Sequence, residues 1–249
     1  LSLIRVAQLA AEVGFPAGAI NIVTGYGHEV GDALAKHPGI DHISFTGSPT
    51  VGTLIQQAAA ARHCPVTLEL GGKSPQIIFA DADLDAAIPV VINAIVQNAG
   101  QTCSAGSRVL IELSIYEPLL ARLGEAFSKL RVGPAKADLN LGPLIRASQK
   151  QRVQGFLADA QAAGIATVAQ GMVVSDAPES GFYQAPVLLR DVPVDHRVAQ
   201  EEVFGPVLSA MRFEGEDQAM QLANATSFGL VAGVWTRDGG RQFRIAKRL

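Results

Sequence analysis

The sequence predicts an α/β fold in two lobes, and three observations support that prediction. Short apolar segments alternate with helical segments along most of the 249 residues, which is the order that parallel crossover units produce. Apolar residues make up 48% of the chain and charged residues only 17%, so a sizeable core can form without disulfides or structural metals. A glycine pair at 71–72 interrupts the alternation, and we place the border between the lobes there.

Composition and charge exclude several classes of function. The net charge is −3, with acids and bases spread along the chain, whereas a nucleic-acid partner needs a concentrated basic surface. Charges, glycines or prolines interrupt every long apolar stretch, so the sequence predicts neither a membrane span nor a secretory leader. The two distant cysteines, Cys64 and Cys103, and five scattered histidines match no disulfide framework or metal site. We therefore expect a cytoplasmic protein that binds no metal.

The first lobe, residues 1–70, is predicted to contain three helices and three strands in alternation. Ser2 is a candidate N-cap of the first helix, whose buried face would be formed by Ile4, Ala7 and residues 9–11. Short strands without polar alternation favour a sheet that is covered on both faces. The first predicted helix begins at residue 2, and the other two span 29–36 and 50–61. The predicted strands span 19–23, 42–46 and 66–70.

The second lobe, residues 71–249, continues the alternation without internal repeats. The polar segment 171–181 is predicted to be a surface loop. The chain begins at Leu1 without methionine, and residues 245–249 have a helical pattern with no glycine or proline to end it, so we expect both ends to continue into a longer protein. The predicted strands span 76–79, 108–113, 167–169, 185–189, 207–213 and 230–236, and the predicted helices span 84–97, 118–130, 148–162 and 217–225.

Two segments carry residue types suited to acyl chemistry. Glu69 ends an apolar strand directly before two glycines, and a carboxylate at a strand end that faces a flexible loop can transfer protons in a cleft. Cys103 lies in a loop of small residues after a long helix, where a substrate can reach the sulfur and N–H groups can hold an oxyanion. Taken singly, each has an ordinary alternative: a surface glutamate before a turn, and a buried structural cysteine. Cys64 lacks such a loop and is interpreted as structural.

Two other segments suggest nucleotide binding. Residues 44–52 combine a strand, a turn at Gly47 and a helix start, which points N–H groups at an anion such as a pyrophosphate. In residues 200–206 a carboxylate could accept hydrogen bonds from ribose hydroxyls, and the ring of Phe204 could pack near a nicotinamide. When each segment is taken alone, an ordinary strand–helix connection and a helix end stopped by Gly-Pro are the simpler explanations.

Taken together and in this order, the four segments resemble the aldehyde dehydrogenase superfamily. The spacing between Glu69 and Cys103 also matches that family, as do the segments 14–23 and 224–230, so the resemblance extends from end to end of the chain. The four motifs are Phe45-Thr-Gly-Ser, Glu69-Leu-Gly-Gly-Lys-Ser-Pro, Gly100-Gln-Thr-Cys and Glu201-Glu-Val-Phe-Gly-Pro.

The resemblance implies an aldehyde dehydrogenase-like α/β fold and a reaction. Residues 1–70 would form part of a Rossmann-type NAD(P)-binding domain, and 71–249 a parallel-sheet catalytic domain truncated at its C-terminal end. Cys103 would attack an aldehyde as a thiolate, and a hydride would pass to NAD or NADP. Glu69 would then activate the water that hydrolyses the thioacyl enzyme to a carboxylic acid. The backbone N–H of Cys103 would supply half of the oxyanion hole.

The resemblance also assigns the contacts of the cofactor. The turn at Gly47 and the following helix start would hold the pyrophosphate, while Gly71 would give the nicotinamide room to swing away before hydrolysis. Two glycines fall where the family wraps the adenine, an acid takes the nicotinamide ribose, and an aromatic ring packs near the nicotinamide. The residues in these cofactor roles are Gly25, Gly27, Gly47, Ser48, Val51, Gly71, Glu202 and Phe204.

Compared with the family, we expect this sequence to be incomplete. The family's second oxyanion donor, an asparagine, has no match here, nor do the lysine of the adenine ribose and the residue that selects NAD or NADP. The last active-site loop and the oligomerisation strand are also unmatched. We expect the 249-residue chain alone to have little activity, because loss of one oxyanion donor typically costs about 10²–10³ in rate. The complete protein is expected to be a homodimer or homotetramer that oxidises a small-molecule aldehyde.

Three other interpretations remain open. A nucleotide-independent cysteine acyltransferase or hydrolase would need a histidine base, and no histidine lies in the Cys103 loop. A dehydrogenase that acylates coenzyme A shares the fold, but Glu69 favours water as the acceptor. A non-catalytic relative would most simply have lost Cys103 or Glu69, and both are present.

Overall fold

The computed structural model describes residues 2–249, which divide into two compact units between Leu70 and Gly71. The first unit is small and contains two parallel strands joined by a helical crossover. Its elements in chain order are α1 (Ser2–Glu12), a single π-helical turn (Gly27–Gly31), α2 (Asp32–Lys36), β1 (Ile43–Thr46), α3 (Pro49–Ala60) and β2 (Val66–Glu69).

The β1–α3–β2 crossover forms the sheet of the first unit and confirms the predicted parallel arrangement. Strands β1 and β2 pair in parallel, with Ile43 opposite Val66. Ser48 caps α3 because its side chain accepts a hydrogen bond from the N–H of Val51, and Pro49 occupies the first turn, where no N–H partner is lost. Gly52 packs closely under the Leu70 side chain, which would have to shift to make room for a larger residue.

Three expectations for the first unit are wrong. Residues 19–23 form no strand, because Ala19 lies in a turn that the Asn21 side chain closes through a 2.7 Å hydrogen bond to the Gly18 carbonyl. None of the residues of α1 is buried, although its apolar periodicity predicted a buried face. Strands β1 and β2 alternate half-buried and exposed residues, because a two-stranded sheet is covered on one face only.

The second unit is built on a six-stranded sheet with the order β10-β3-β4-β9-β8-β6. All the predicted strands and helices of this unit are present, with ends shifted by a few residues. Those elements are β3 (Pro75–Ile78), α4 (Leu84–Val96), β4 (Arg108–Glu112), α5 (Tyr116–Ser128), α6 (Ala147–Ala162), β6 (Thr167–Gln170), β8 (Val187–Leu189), β9 (Val207–Phe213), α8 (Gly215–Ala223) and β10 (Gly233–Trp235).

Strand direction in this sheet differs from the predicted all-parallel arrangement. Five strands run in parallel, but β6 is antiparallel to its neighbour β8, so the sheet is mixed. The connection from β6 to β8 contains no helix, and without a crossover helix the chain returns in the opposite direction. Strands β3, β4, β8 and β9 are almost entirely buried, as their continuous apolar runs predict.

Four short elements of the second unit have no clear sequence pattern. Two of them, β5 and β7, pair as a small parallel sheet. For α9, the sequence analysis recognised a helical pattern only in its last residues. A strand of two residues is too short for any periodicity to show. These elements are β5 (Arg131–Val132), β7 (Met172–Val173), α7 (Arg197–Gln200) and α9 (Gly239–Ala246).

The described residues contain neither a membrane-spanning helix nor a candidate metal cluster. Over residues 2–249, no helix has the length and apolar character needed to cross a membrane. The same residues contain no group of three or more His, Cys, Asp or Glu side chains arranged to hold a metal ion.

Candidate active site

Three segments of the second unit converge at one edge of its sheet. Residues 71–74 lead into β3, the loop of Cys103 leads into β4, and residues 201–206 lead into β9. These strands are parallel and adjacent, in the order β3-β4-β9. Because the amino ends of adjacent parallel strands lie at the same edge, the three motifs meet although they are far apart in sequence.

The Cys103 loop begins with a sharp reversal at the end of α4. Asn98, Ala99 and Gly100 have positive φ angles of 51°, 55° and 73°, a left-handed conformation that costs energy for residues with a side chain. Gly100 packs directly on the backbone of Gly205, so no side chain fits at this position. The reversal thus joins the nucleophile loop to the segment before β9.

The side chain of Gln101 fixes the same loop from the other side. Its Nε2 donates to the Asn98 carbonyl and its Oε1 accepts from the N–H of Ile145, both at 3.0 Å. Cys103 itself is a free thiol, and the residue is half-buried.

The two adjacent glycines contact two different partners in this unit. A Cβ on Gly72 would overlap the carbonyl oxygen of Cys103, and a Cβ on Gly71 would lie 2.5 Å from the Glu202 carboxylate. The N–H of Gly72 also donates to Glu202 Oε1 at 3.1 Å. Cys103 and Glu202 are therefore brought together through the backbone of Gly71 and Gly72.

Two side chains of α6 hold the segment that contains Glu202 and Phe204. Gln149 Nε2 donates to the carbonyls of Val203 (3.1 Å) and Phe204 (2.8 Å). Arg152 donates to the Glu202 carbonyl at 2.8 Å. Sequence reasoning missed both residues, because they precede their partners by about 50 positions and belong to no recognisable motif.

Arg108 directly follows the Cys103 loop and is a buried cation, only 1% exposed, but its side-chain hydrogen bonds do not go to that loop. It donates instead to the carbonyls of Lys73 (2.8 Å), Leu222 (2.7 Å) and Ala223 (2.7 Å). The last two are carbonyls in the last turn of α8, where a positive charge is favourable. Burial lowers the pKa of Arg108 to about 10. Arg108 therefore anchors residues 71–74 to the end of α8.

Two ionisable groups beside Gly72 have shifted pKa values. Burial raises the pKa of Glu202, and the Gly72 hydrogen bond, Lys73 and Arg152 act against that rise. Burial, with repulsion from Arg108, lowers the pKa of Lys73 to about 7. Lys73 is 2% exposed and was also missed at the sequence level.

The remaining predicted site residues belong to the first unit. Glu69 is the last residue of β2, with an exposed side chain, and its carbonyl accepts from the N–H of Gly47 at 3.0 Å. Ser48 and Val51 form the exposed N-terminal turn of α3 described above. Gly25 packs against Val30, and Gly27 starts the π-helical turn.

A cavity of about 520 Å³ opens beside the Cys103 loop in the second unit. Its wall combines the left-handed turn before the cysteine with the ring of Phe204 and with residues 140–145. The lining residues are Asn98, Ala99, Gln101, Asn140, Leu141, Gly142, Pro143, Ile145 and Phe204.

Comparison with known proteins identifies the family of this chain. The model of the aldehyde dehydrogenase family matches residues 1–249. An aldehyde dehydrogenase of Emericella nidulans is 41% identical over 251 residues, which cover 100% of this chain and 50% of the relative. The chain thus spans about half the length of the curated relatives it matches.

Solved structures agree with the sequence comparison. A crystal structure of an aldehyde dehydrogenase-family protein from Burkholderia cenocepacia superposes with a TM-score of 0.99 at 72% identity, covering 100% of this chain and 52% of the other. Betaine aldehyde dehydrogenase of Staphylococcus aureus, solved in complex with NAD⁺, gives a TM-score of 0.95 at 38% identity, covering 100% of this chain and 50% of that one. The chain belongs to the aldehyde dehydrogenase family.

Proposed function

We propose that this chain supplies the catalytic cysteine, the general base and most of the cofactor contacts of an enzyme that oxidises an aldehyde to a carboxylic acid with NAD⁺ or NADP⁺. The observation that carries the proposal is the arrangement of the free, half-buried thiol of Cys103. Its loop packs on Gly72, whose N–H binds the Glu202 carboxylate. Nucleophile and candidate ribose ligand are therefore held by one short backbone segment.

Cys103 acts as the nucleophile in this proposal. Its thiolate attacks the aldehyde carbon and forms a thiohemiacetal, whose oxygen carries the developing negative charge. The N–H of Cys103 makes no hydrogen bond with any part of the chain that the structure describes, so it is free to hold that oxyanion. The left-handed turn at 98–100 fixes the loop in advance, and this limits the reorganisation that the reaction requires.

Glu69 acts as the general base in the second half of the reaction. A bound NAD(P)⁺ would supply the hydride acceptor, and loss of a hydride from the thiohemiacetal carbon would leave a thioacyl group on the Cys103 sulfur. The Glu69 carboxylate then removes a proton from a water molecule, which attacks the thioester and releases the carboxylic acid. Its exposed side chain at the carboxyl end of β2 leaves it open to water.

The proposed cofactor residues have free groups of the required kind. Glu202 Oε1 accepts the Gly72 N–H, and among residues 2–249 no group donates to Oε2, which can therefore accept from a ribose hydroxyl. The N-terminus of α3, with Gly47, Ser48 and Val51, presents the positive end of a helix dipole to a pyrophosphate. The S. aureus enzyme is solved with NAD⁺. We extend NAD(P)⁺ to this chain on those grounds, with Gly25 and Gly27 at the adenine and with Gly71 and Phe204 at the nicotinamide.

We further propose that the 249-residue chain alone turns over little or no aldehyde. The matched relatives are about twice as long, and the second oxyanion donor of the family has no counterpart in this sequence. A steady-state assay of the isolated chain checks this, and robust turnover contradicts it. We infer a cytoplasmic location for the complete enzyme, in keeping with two free cysteine thiols, and a homodimer or homotetramer from the family resemblance alone.

The role of Glu69 is tested with the variant Glu69→Gln in the complete subunit. An amide cannot take the proton of the attacking water, so the variant should release about one reduced cofactor per active site and then stall. Rapid-mixing absorbance of the reduced nicotinamide measures the burst, and mass spectrometry detects the acylated cysteine. The matched control Glu12→Gln, on the exposed helix α1, should turn over normally. Normal steady-state turnover by Glu69→Gln rules out this role.

A further inference from the structure

The left-handed turn before Cys103 has a conformation that the surrounding chain must maintain. Asn98 and Ala99 follow one another at φ angles of 51° and 55°, and each carries a side chain that makes such angles unfavourable. Two successive residues of this kind keep the conformation only where other contacts impose it. The hydrogen bonds of residues 98–101 indicate which side chain does so.

Gln101 makes three hydrogen bonds at this turn. Its backbone N–H (3.1 Å) and its Nε2 (3.0 Å) both donate to the Asn98 carbonyl, and its Oε1 accepts from the N–H of Ile145 at 3.0 Å. In the part of the chain that the structure describes, no other side chain hydrogen-bonds to residues 98–100. Gln101 therefore closes the turn with its side chain.

The partner of Gln101 Oε1 belongs to a segment that is itself fixed. Leu144, the neighbour of Ile145, is 2% exposed, and its N–H donates to the Phe182 carbonyl at 2.9 Å. The helix α6, which holds the segment before β9, begins shortly after Ile145. Gln101 thus ties the strained turn to the segment that leads into α6.

The other contacts of the Cys103 loop do not involve the Gln101 side chain. Gly106, at the end of the loop, donates its N–H to the Ala94 carbonyl at 3.0 Å. The Cys103 carbonyl lies against Gly72. Loss of the Gln101 side chain should therefore loosen the start of the loop and leave its end in place.

We propose that Gln101 is a positioning residue for the nucleophile: its side chain keeps the turn at 98–100 closed and so holds the Cys103 sulfur where it can attack the aldehyde carbon. This inference rests on the proposed role of Cys103. Both polar atoms of the Gln101 side chain are engaged by backbone groups, so Gln101 acts through the loop. A nucleophile that is held in place reacts faster than one that must first be brought there. The effect therefore belongs to the rate of the chemical step and not to cofactor binding.

The test measures the first reduction of nicotinamide by rapid mixing, with the complete subunit in excess over its best aldehyde from a panel and with saturating NAD(P)⁺. Gln101→Met removes the side-chain hydrogen bonds without adding a charge and should lower this rate constant about tenfold. The affinity and stoichiometry of NAD(P)⁺ binding, measured by calorimetry, should stay at the wild-type values. The matched control Gln161→Met, which replaces an exposed glutamine of α6, should react like the wild type. A folded Gln101→Met with the wild-type rate constant overturns the inference.

A double variant tests whether the strained turn is the cause of the slower reaction. Glycine adopts positive φ angles without the cost that a side chain brings, and Asn98 is exposed, so its replacement mainly changes the backbone preference. Asn98→Gly combined with Gln101→Met should therefore react about threefold faster than Gln101→Met alone. A double variant that is as slow as Gln101→Met contradicts the proposed role.

Two further variants complete the test. If Gln101→Met does not fold, Gln101→Asn takes its place, because its shorter side chain cannot reach both partners; a wild-type rate constant in Gln101→Asn also overturns the inference. Cys103→Ala separates this inference from the proposed function. If Cys103→Ala reduces nicotinamide like the wild type, the proposed function fails and this inference fails with it. If Cys103→Ala is inactive while Gln101→Met keeps the wild-type rate constant, only the role of Gln101 fails.

Discussion

At the scale of single residues, the site depends on the close packing of other atoms against two glycines as much as on its functional groups. Gly71 and Gly72 adopt no left-handed conformation, so their need for glycine comes from the atoms packed on them. Gly72 faces the rigid backbone carbonyl of Cys103, whereas Gly71 faces the flexible end of the Glu202 side chain. Two adjacent residues of one motif therefore have different partners: Gly72 contacts the Cys103 loop, and Gly71 contacts the Glu202 carboxylate.

This difference predicts distinct effects of two alanine variants in the complete subunit. Gly72→Ala should displace the Cys103 loop, destabilise the fold by about 1–3 kcal/mol and change the rate of thiol labelling. Gly71→Ala should mainly move the Glu202 side chain and weaken NAD⁺ binding, with unchanged labelling of the free enzyme. Iodoacetamide labelling and NAD⁺ titration measure the two effects. Indistinguishable behaviour of the two variants contradicts this division of roles.

Single residues also mark the limit of the sequence analysis. Cys103 and Glu202 were recognisable because their motifs are contiguous, and the structure brings them together within one unit. Lys73 lies inside a recognised motif, yet only its burial shows that it differs from a surface lysine. Gln149 and Arg152 gave no signal, because their partners are backbone carbonyls, which have no sequence identity.

At the scale of elements, the second unit was predicted more accurately than the first. Its continuous apolar strands and long helices have periods that a sequence shows directly. Strand β6 was predicted in place but with the wrong direction, because periodicity carries no information about direction. In the first unit, residues 19–23 have the composition of a strand, and the turn closed by Asn21 prevails.

The packing of α8 and α9 provides a pH-dependent prediction at this scale. Glu216 on α8 accepts hydrogen bonds from Arg244 at 2.6 Å and Arg241 at 3.2 Å, both on α9. The hydrogen bond from Arg244 is the main reason that the pKa of Glu216 is lowered to about 2. A lowered pKa adds stability that is complete above the unfolded value and is lost as pH falls through the folded value.

Glu216→Gln should therefore lower the free energy of unfolding by about 1 kcal/mol at pH 7. The difference from wild type should stay constant down to about pH 5 and shrink as pH falls from about 4.5 towards 2. Urea unfolding followed by the fluorescence of Trp235, the one tryptophan of the sequence, measures it. Glu179→Gln in the surface loop is the control. A difference that does not change down to pH 3 contradicts the assignment.

At the scale of the whole molecule, the family was identifiable because four motifs occur in a fixed order, although each alone has an ordinary explanation. The comparisons confirm the family across the full chain. They also show that the chain spans about half the length of its relatives. The aldehyde and the choice between NAD⁺ and NADP⁺ therefore have to be determined on the complete subunit.

The central claim is that Cys103 is the nucleophile of an NAD(P)⁺-dependent aldehyde oxidation. The most direct test measures reduced nicotinamide formed by the complete subunit over a panel of aldehydes, with NAD⁺ and with NADP⁺. A Cys103→Ala variant and the matched control Cys64→Ala are measured beside it. We predict aldehyde-dependent reduction by the wild type and by Cys64→Ala, and a loss of at least about 10³-fold in Cys103→Ala. Reduction that persists in Cys103→Ala, or a wild type that is inactive with every aldehyde and both cofactors, would contradict the claim.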